Sequence, residues 1–188
     1  MSEVPAVKKF ADDYQEFTKT TAVYPSETQA QGLSYVTLGL ADEVGELVTE
    51  FLEGPPLKKR AKIIAEAGDV YWYAARICDH LDIRLSDVCF AEYDGYASLP
   101  DAELRAFLYT GIICGRVKKS IRDGHLWNEN QRASVERVIF EALRKALSAV
   151  NVLARFAEAT PLEVMNANKT KLSDRKERGV LQGDGDNR

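Results

Sequence analysis

The stretch LGLADEVGELVTEFLEGPPLKKRAKIIAEAGDVYWYAARI, residues 38–77, decides the fold. Its apolar residues recur at three- and four-residue spacing on both sides of Gly54-Pro55-Pro56, a helical rather than a strand period. The Gly-Pro-Pro run breaks a helix, because proline lacks the N–H that continues the ladder. The stretch therefore reads as a helical hairpin, with one helix over about 33–53 and a second over about 57–80. Residues three apart share a helix face. Glu43 and Glu46 thus project together from the first helix, and Glu66 and Asp69 from the second. Glu46 stands about 8 residues before the turn and Glu66 about 10 after it. At a rise of ~1.5 Å per residue the two pairs reach similar heights. Four carboxylates are predicted to face one another across the hairpin.

Like charges held that closely repel and lose hydration. A hard divalent cation resolves the conflict, and an oxygen-only donor set suits magnesium or manganese. Paired ions around a phosphate chain can activate a water and stabilise a leaving phosphate oxygen. A solvated acidic face is the plain alternative, but LGLADEVGEL and IIAEAGDVYWY set the acids among apolar residues. Gly45 and Gly68 each fall inside an acidic pair. A glycine within a helix costs roughly 1 kcal/mol relative to alanine, so each predicts a close helix approach.

Outward from the hairpin, the same period predicts an all-α helical bundle. A first helix covers about 5–20, and Thr21 to Gly32 form a loop. A short helix over 85–95 starts at Ser86 as N-cap, and Gly95 to Pro100 form a loop. Longer helices follow over about 101–122, closed by Gly124, and about 129–158. The last helix, about 161–173, begins with Thr160 as cap and Pro161 in its first turn. The charged, Gly-rich tail from 174 to 188 is expected to be extended or mobile. The basic start of the second hairpin helix (Lys58, Lys59, Arg60, Lys62) opposes the helix dipole and calls for another role. IRLSDVCFAEY (83–93) resembles TPLEVMNANKT (160–170), and each follows a long helix, which suggests a duplicated helical unit.

With 188 residues, 45% of them hydrophobic and 29% charged, the chain can bury a core. A net charge of −4 argues against a nucleic-acid polymer as partner, though a cation can bridge an acidic protein to a nucleotide. Cys78, Cys89 and Cys114 lie in apolar helical stretches and read as reduced core residues. No apolar run approaches the ~20 residues of a membrane span, and the first residues lack a signal-peptide core. The expected location is the cytoplasm, of a bacterium or of a phage-infected host. Two histidines, His80 and His125, make a histidine-based metal site improbable, and no GxxxxGK[ST], HExxH or GxSxG occurs.

At these acids the chain resembles the MazG-like nucleotide pyrophosphohydrolases, an all-α superfamily that includes dimeric dUTPases and dCTP pyrophosphatases. Glu43-Val44-Gly45-Glu46 and Glu66-Ala67-Gly68-Asp69 match its ExxE and ExxD pattern. The likeness extends to YVTLGLADEVGEL and EAGDVYWYAARI, to the opening YQEFTKTTAVYP, and to the tail from Asn166 onward. The resemblance implies magnesium-dependent hydrolysis of a nucleoside triphosphate to its monophosphate and pyrophosphate, with manganese as a possible substitute. It implies Glu43, Glu46, Glu66 and Asp69 as metal ligands and catalytic groups, Glu43 orienting the attacking water. Asn168, Lys171 and Arg175 match tail positions associated with substrate phosphates, and Tyr73 matches an aromatic of the nucleoside pocket, plain core packing being the alternative. It also implies a homodimer or higher oligomer.

The departure from that pattern begins after residue 94. Residues 95–173 read as a degenerate second unit fused to the metal-bearing unit, 1–94. Ile112, Ile113 and Arg116 fall where the first pair of glutamates would be, and Leu143 and Ala146 where Glu66 and Asp69 would be. The second unit carries Arg116, Lys118, Lys119 and Arg122, a positive face suited either to a triphosphate or to solvent. Lys118 and Lys119 are therefore candidate substrate contacts. The rival functions are a non-catalytic nucleotide-binding or regulatory protein of the same fold, and a purely structural bundle.

Overall fold

The computed structural model describes residues 3–92, 98–124 and 128–182. Seven α-helices and a 3-10 turn over Pro56–Lys59 follow one another, with no strand among the described residues. They are α1 (Glu3–Lys19), α2 (Gln29–Leu52), α3 (Arg60–His80), α4 (Leu85–Val88), α5 (Leu99–Asp123), α6 (Glu129–Phe156) and α7 (Pro161–Glu177). Two hairpins, α2–α3 and α5–α6, lie side by side through α2 and α5, while α1 and α7 flank α3. Leu33, Leu40, Leu47, Ile63, Ile77, Ile113, Ile139 and Leu143 are fully buried between them. No helix among the described residues is long and apolar enough to cross a membrane.

The predicted helices are all present, but their ends differ where side chains from elsewhere decide them. α2 begins at Gln29 instead of 33, because the Thr28 hydroxyl accepts from the Gln31 N–H at 3.1 Å and caps it. The helix expected over 85–95 is a single turn, Leu85–Val88, and its N-cap is Arg84 instead of Ser86. The first N–H groups of that turn donate to α1, Leu85 to Gln15 Oε1 at 2.7 Å and Ser86 to Asp12 Oδ1 at 3.2 Å. A tertiary cap thus replaces the local one. α5 starts at Leu99 behind Ser98. α7 continues to Glu177, so the expected extended tail is helical for its first turn. Residues 93–97, the end of the expected 85–95 helix and the start of the Gly95–Pro100 loop, lie outside the described residues, as do His125 and the GDGD of the tail.

The basic entry to α3 acquires partners. Lys59 pairs with Glu50 at 2.9 Å and with Glu53, both at the end of α2, and Arg60 pairs with Glu163 of α7. The cations thus tie the tight turn to the preceding helix end, where positive charge is favoured. The three cysteines are free, Cys78 and Cys89 buried and Cys114 half-buried.

The turns that follow α3 and α6 share one backbone conformation. Asp82 after α3 and Glu158 after α6 both take φ 54°. Around them the chain closes alike, with Ile83 N bonded to Cys78 O and Ala159 N to Ala154 O. Counted from these two turns, Ile83 corresponds to Ala159, one residue off the register read from sequence. In that register Glu66 and Asp69 correspond to Ala142 and Lys145 instead of Leu143 and Ala146, and the second hairpin still lacks the acids.

Candidate metal centre and cavity

Antiparallel packing of α2 on α3 sets the heights of the acids. Glu43, Glu46 and Glu66 each offer a carboxylate oxygen, and these oxygens lie within 4.8 Å of one another. Glu66 is buried, Glu43 half-buried and Glu46 exposed. Asp69, one turn on from Glu66, stands beside the trio but is engaged by α7. Its Oδ1 accepts from Asn168 Nδ2 at 2.8 Å, and its Oδ2 forms an ion pair with Lys171. Asn168 is buried, and its own Oδ1 accepts from the Tyr14 hydroxyl at 2.7 Å. A chain of contacts therefore runs from α1 through α7 to the acidic end of α3.

Gly68 makes that chain possible. A Cβ there would come within 2.8 Å of Asn168 Cβ, so the glycine admits α7 against α3. The close approach predicted at Gly68 is real, though to α7 and not across the hairpin. A Cβ at Gly45 would meet nothing within 4 Å, so no helix approaches there.

Burial, then the charges of Asp69, Glu46 and Glu66, push the Glu43 carboxyl up to about 9, against a smaller downward pull from Lys171. Oxygen donors that crowd together and resist ionising are what a divalent cation relieves.

The acids form one wall of a cavity of about 680 Å³. Arg175, buried on α7, lines it beside Asp42, Glu43, Glu46, Glu66 and Asp69. Aromatic rings also line it: Tyr24, Tyr35, Trp72 and Tyr73. Tyr24 and Tyr35 stack with centroids 5.0 Å apart and planes at 7°, and Trp72 meets Tyr73 edge-on at 4.9 Å. Trp72 Nε1 donates to Thr21 Oγ1 at 2.9 Å, which fixes the indole. Gly39 leaves the space in which the Tyr73 ring lies against α2; a Cβ there would reach 2.1 Å from the ring. Burial raises the Tyr73 hydroxyl pKa, with Tyr35 and Glu43 adding to it. At the rim, Gly179 at φ 71° ends α7 and turns the chain so that Leu181 and Gln182 join the lining.

The structure thus gathers Glu43, Glu46, Glu66, Asp69, Tyr73 and Arg175 on one cavity. Asn168 and Lys171 sit behind it, holding Asp69. Lys118 and Lys119 are exposed on α5 and are not among the residues that line the cavity. Tyr14, Thr21, Tyr24 and Tyr35 were missed as site residues. Their sequence signal is that they fall within YQEFTKTTAVYP and YVTLGLADEVGEL, two stretches that carry the family resemblance.

Fold and site together define an all-α protein with a carboxylate cluster set in an aromatic-walled cavity. Over 87 aligned residues the chain is 39% identical to the Gene 37 protein of Mycobacterium phage L5, covering 41% of this chain and 76% of the phage protein. The chain belongs to the family of that phage protein. No family model and no solved structure matches it.

Proposed function

We propose that this chain is a magnesium-dependent nucleotide pyrophosphohydrolase of the MazG-like kind, converting a nucleoside triphosphate to its monophosphate and pyrophosphate. The observation that carries this reading is the convergence of three glutamate oxygens within 4.8 Å on the wall of an aromatic cavity. The donor set fits magnesium or manganese: it is all oxygen and drawn from two helices.

Glu43, Glu46 and Glu66 would hold the cation, with Asp69 completing the set. Bound there, a divalent ion offsets the charge of the triphosphate and polarises a phosphoryl oxygen. Glu43 orients the attacking water and takes its proton. The water oxygen bonds to the α-phosphorus as the bond to the bridging oxygen of the β-phosphate breaks, and pyrophosphate leaves. Arg175 supplies a guanidinium to the phosphates from the cavity wall. Tyr73, Trp72 and Tyr35 offer ring faces and edges to the base. Asn168 orients Asp69. Lys171 balances the charge of Asp69, a role that a cation bound beside Asp69 would share.

The matching turns after α3 and α6 support a tandem origin, with α5–α6 a second unit that has lost its acids. A panel of nucleoside triphosphates assayed for pyrophosphate with magnesium tests the function. Glu46→Gln and Asp69→Asn should each lower turnover by at least about 100-fold while keeping the helical spectrum. Nucleotide binding without any turnover by the wild type would favour a non-catalytic binding protein.

A further inference from the structure

We propose that His80 is a positioning residue: its Nε2 accepts the Tyr24 hydroxyl hydrogen and so holds the aromatic lining of the cavity in place. The consequence for substrate binding rests on the function proposed above; the bond itself does not. Tyr24 lies in the segment between α1 and α2, where no helix fixes it. Its ring nevertheless stacks on Tyr35 and meets Trp72 edge-on with centroids 6.0 Å apart. The far end of the side chain is what anchors it. The Tyr24 hydroxyl stands 3.1 Å from His80 Nε2 and 3.2 Å from Arg76 Nε, both at the end of α3.

Counting hydrogens gives the bond a direction. A guanidinium only donates. The Tyr24 oxygen therefore accepts from Arg76, and its own hydrogen is left for His80 Nε2. Among the described residues no other acceptor meets that hydroxyl. Nε2 can accept only while it carries no hydrogen, which places the one hydrogen of the neutral ring on Nδ1. Arg76 is buried and held: its Nη2 pairs with Asp79 at 3.1 Å, and Asp79 pairs with Lys19 of α1 at 3.1 Å. The place of the imidazole is built as well. A Cβ at Gly32 of α2 would come within 2.5 Å of His80 Cε1 and 2.9 Å of Nε2, so the glycine admits the ring. Gln29, at the start of α2, donates to the His80 carbonyl at 3.1 Å.

Protonation ends this arrangement. A hydrogen on Nε2 would face the hydroxyl hydrogen, and Tyr24 would have to turn its own away from any partner. The charged groups near the ring are Arg76 and Asp79 on its own helix, with Lys19 of α1 beyond Asp79. The segment before α2 presents Tyr24 and Ser26, and α2 presents the uncharged Gln29 and Gly32. Burial, then Arg76, lower the His80 pKa, with Asp79 pulling the other way. The bond is therefore present at neutral pH and is lost as pH falls through a midpoint below the ordinary 6.5.

Nitrogen-15 spectra of histidine-labelled protein at about pH 7.5 read the bond directly. His80, told from His125 by a His125→Gln variant, should show Nε2 free of hydrogen and Nδ1 carrying it. Tyr24→Phe should move it toward the opposite tautomer. A Trp127→Phe chain keeps Trp72 as its one tryptophan. Its emission should change as pH falls from about 7.5 to about 5, with the midpoint of the His80 resonances. His80→Gln keeps an acceptor but does not titrate, and should abolish that change. Neither readout needs a substrate, so both judge the bond even where the proposed reaction fails. In turnover, KM for a nucleoside triphosphate should rise between about pH 7.5 and 5.5 at least about threefold more in wild type than in His80→Gln, with kcat moving alike in both. The ionisations of the phosphates and of Glu43 are common to the two chains and cancel in that ratio. His80→Leu, without an acceptor, should show the raised KM at both pH values. An Nε2–H tautomer in the wild type overturns the proposal. So does Trp72 emission, or KM, that follows pH identically in wild type and His80→Gln.

Discussion

In the absence of divalent cations, replacing Glu43 with glutamine should stabilise the protein. Its carboxyl is pushed from an ordinary 4.5 to about 9 in the folded chain. At pH 7 the folded state therefore holds a proton that the unfolded state releases. The span from 4.5 to 7, at 1.36 kcal/mol per unit, sets an upper limit of roughly 3.4 kcal/mol. Water in the cavity and sharing of the proton among four carboxylates reduce this to about 1–3 kcal/mol. For a chain of this size the gain corresponds to a rise in Tm of about 2–10 °C. The sign follows from a raised acid pKa: wild-type stability in chelator falls as pH rises from about 5 toward 9, and the variant removes that slope. Adding manganese should reverse the ranking. At a hundredfold excess over Kd the wild type gains about 2.7 kcal/mol, and the variant, short of one ligand, gains much less. Thermal melts in chelator and in manganese, over a pH series, read all of this. A variant less stable than wild type in chelator, or equal manganese stabilisation of both, would refute the cation-centre reasoning.

Other substitutions probe the supports of the same site. Asn168→Ala leaves one Asp69 oxygen without its Asn168 donor and the buried Tyr14 hydroxyl with only the long contact to Gly68 O at 3.4 Å, and should cost about 1–3 kcal/mol in denaturant melts. Gly39→Ala forces the Tyr73 ring from its place and should cost about 1–3 kcal/mol; adding Tyr73→Ala should recover part of that loss. Lys171→Ala removes the cation paired with Asp69, so it should tighten manganese binding in calorimetry while slowing turnover. Looser manganese binding in that variant would show that Lys171 does not compete with the cation.

The helices were legible because their periodicity is local and strong. The Gly54-Pro55-Pro56 break between two long amphipathic runs left little choice but a hairpin. The ends were less legible, since three-dimensional neighbours set them. Ser86 has the chemistry of an N-cap, yet Gln15 and Asp12 from α1 take the N–H groups that a local cap would serve. The tail had the composition of a mobile segment, but Arg175, 5% exposed, anchors its first turn in the cavity wall.

The acids were legible for the same reason as the helices: spacing fixes a face, and a short turn fixes a height. What compensates them is not written in spacing. Lys171 lies 102 residues from Asp69, and Tyr14 lies 154 from Asn168. Nothing local pairs residues so far apart. Lys118 and Lys119 show the converse error. Charge complementarity to a triphosphate made them attractive, but they are exposed on α5 and are not among the residues that line the cavity, because sign of charge does not fix position.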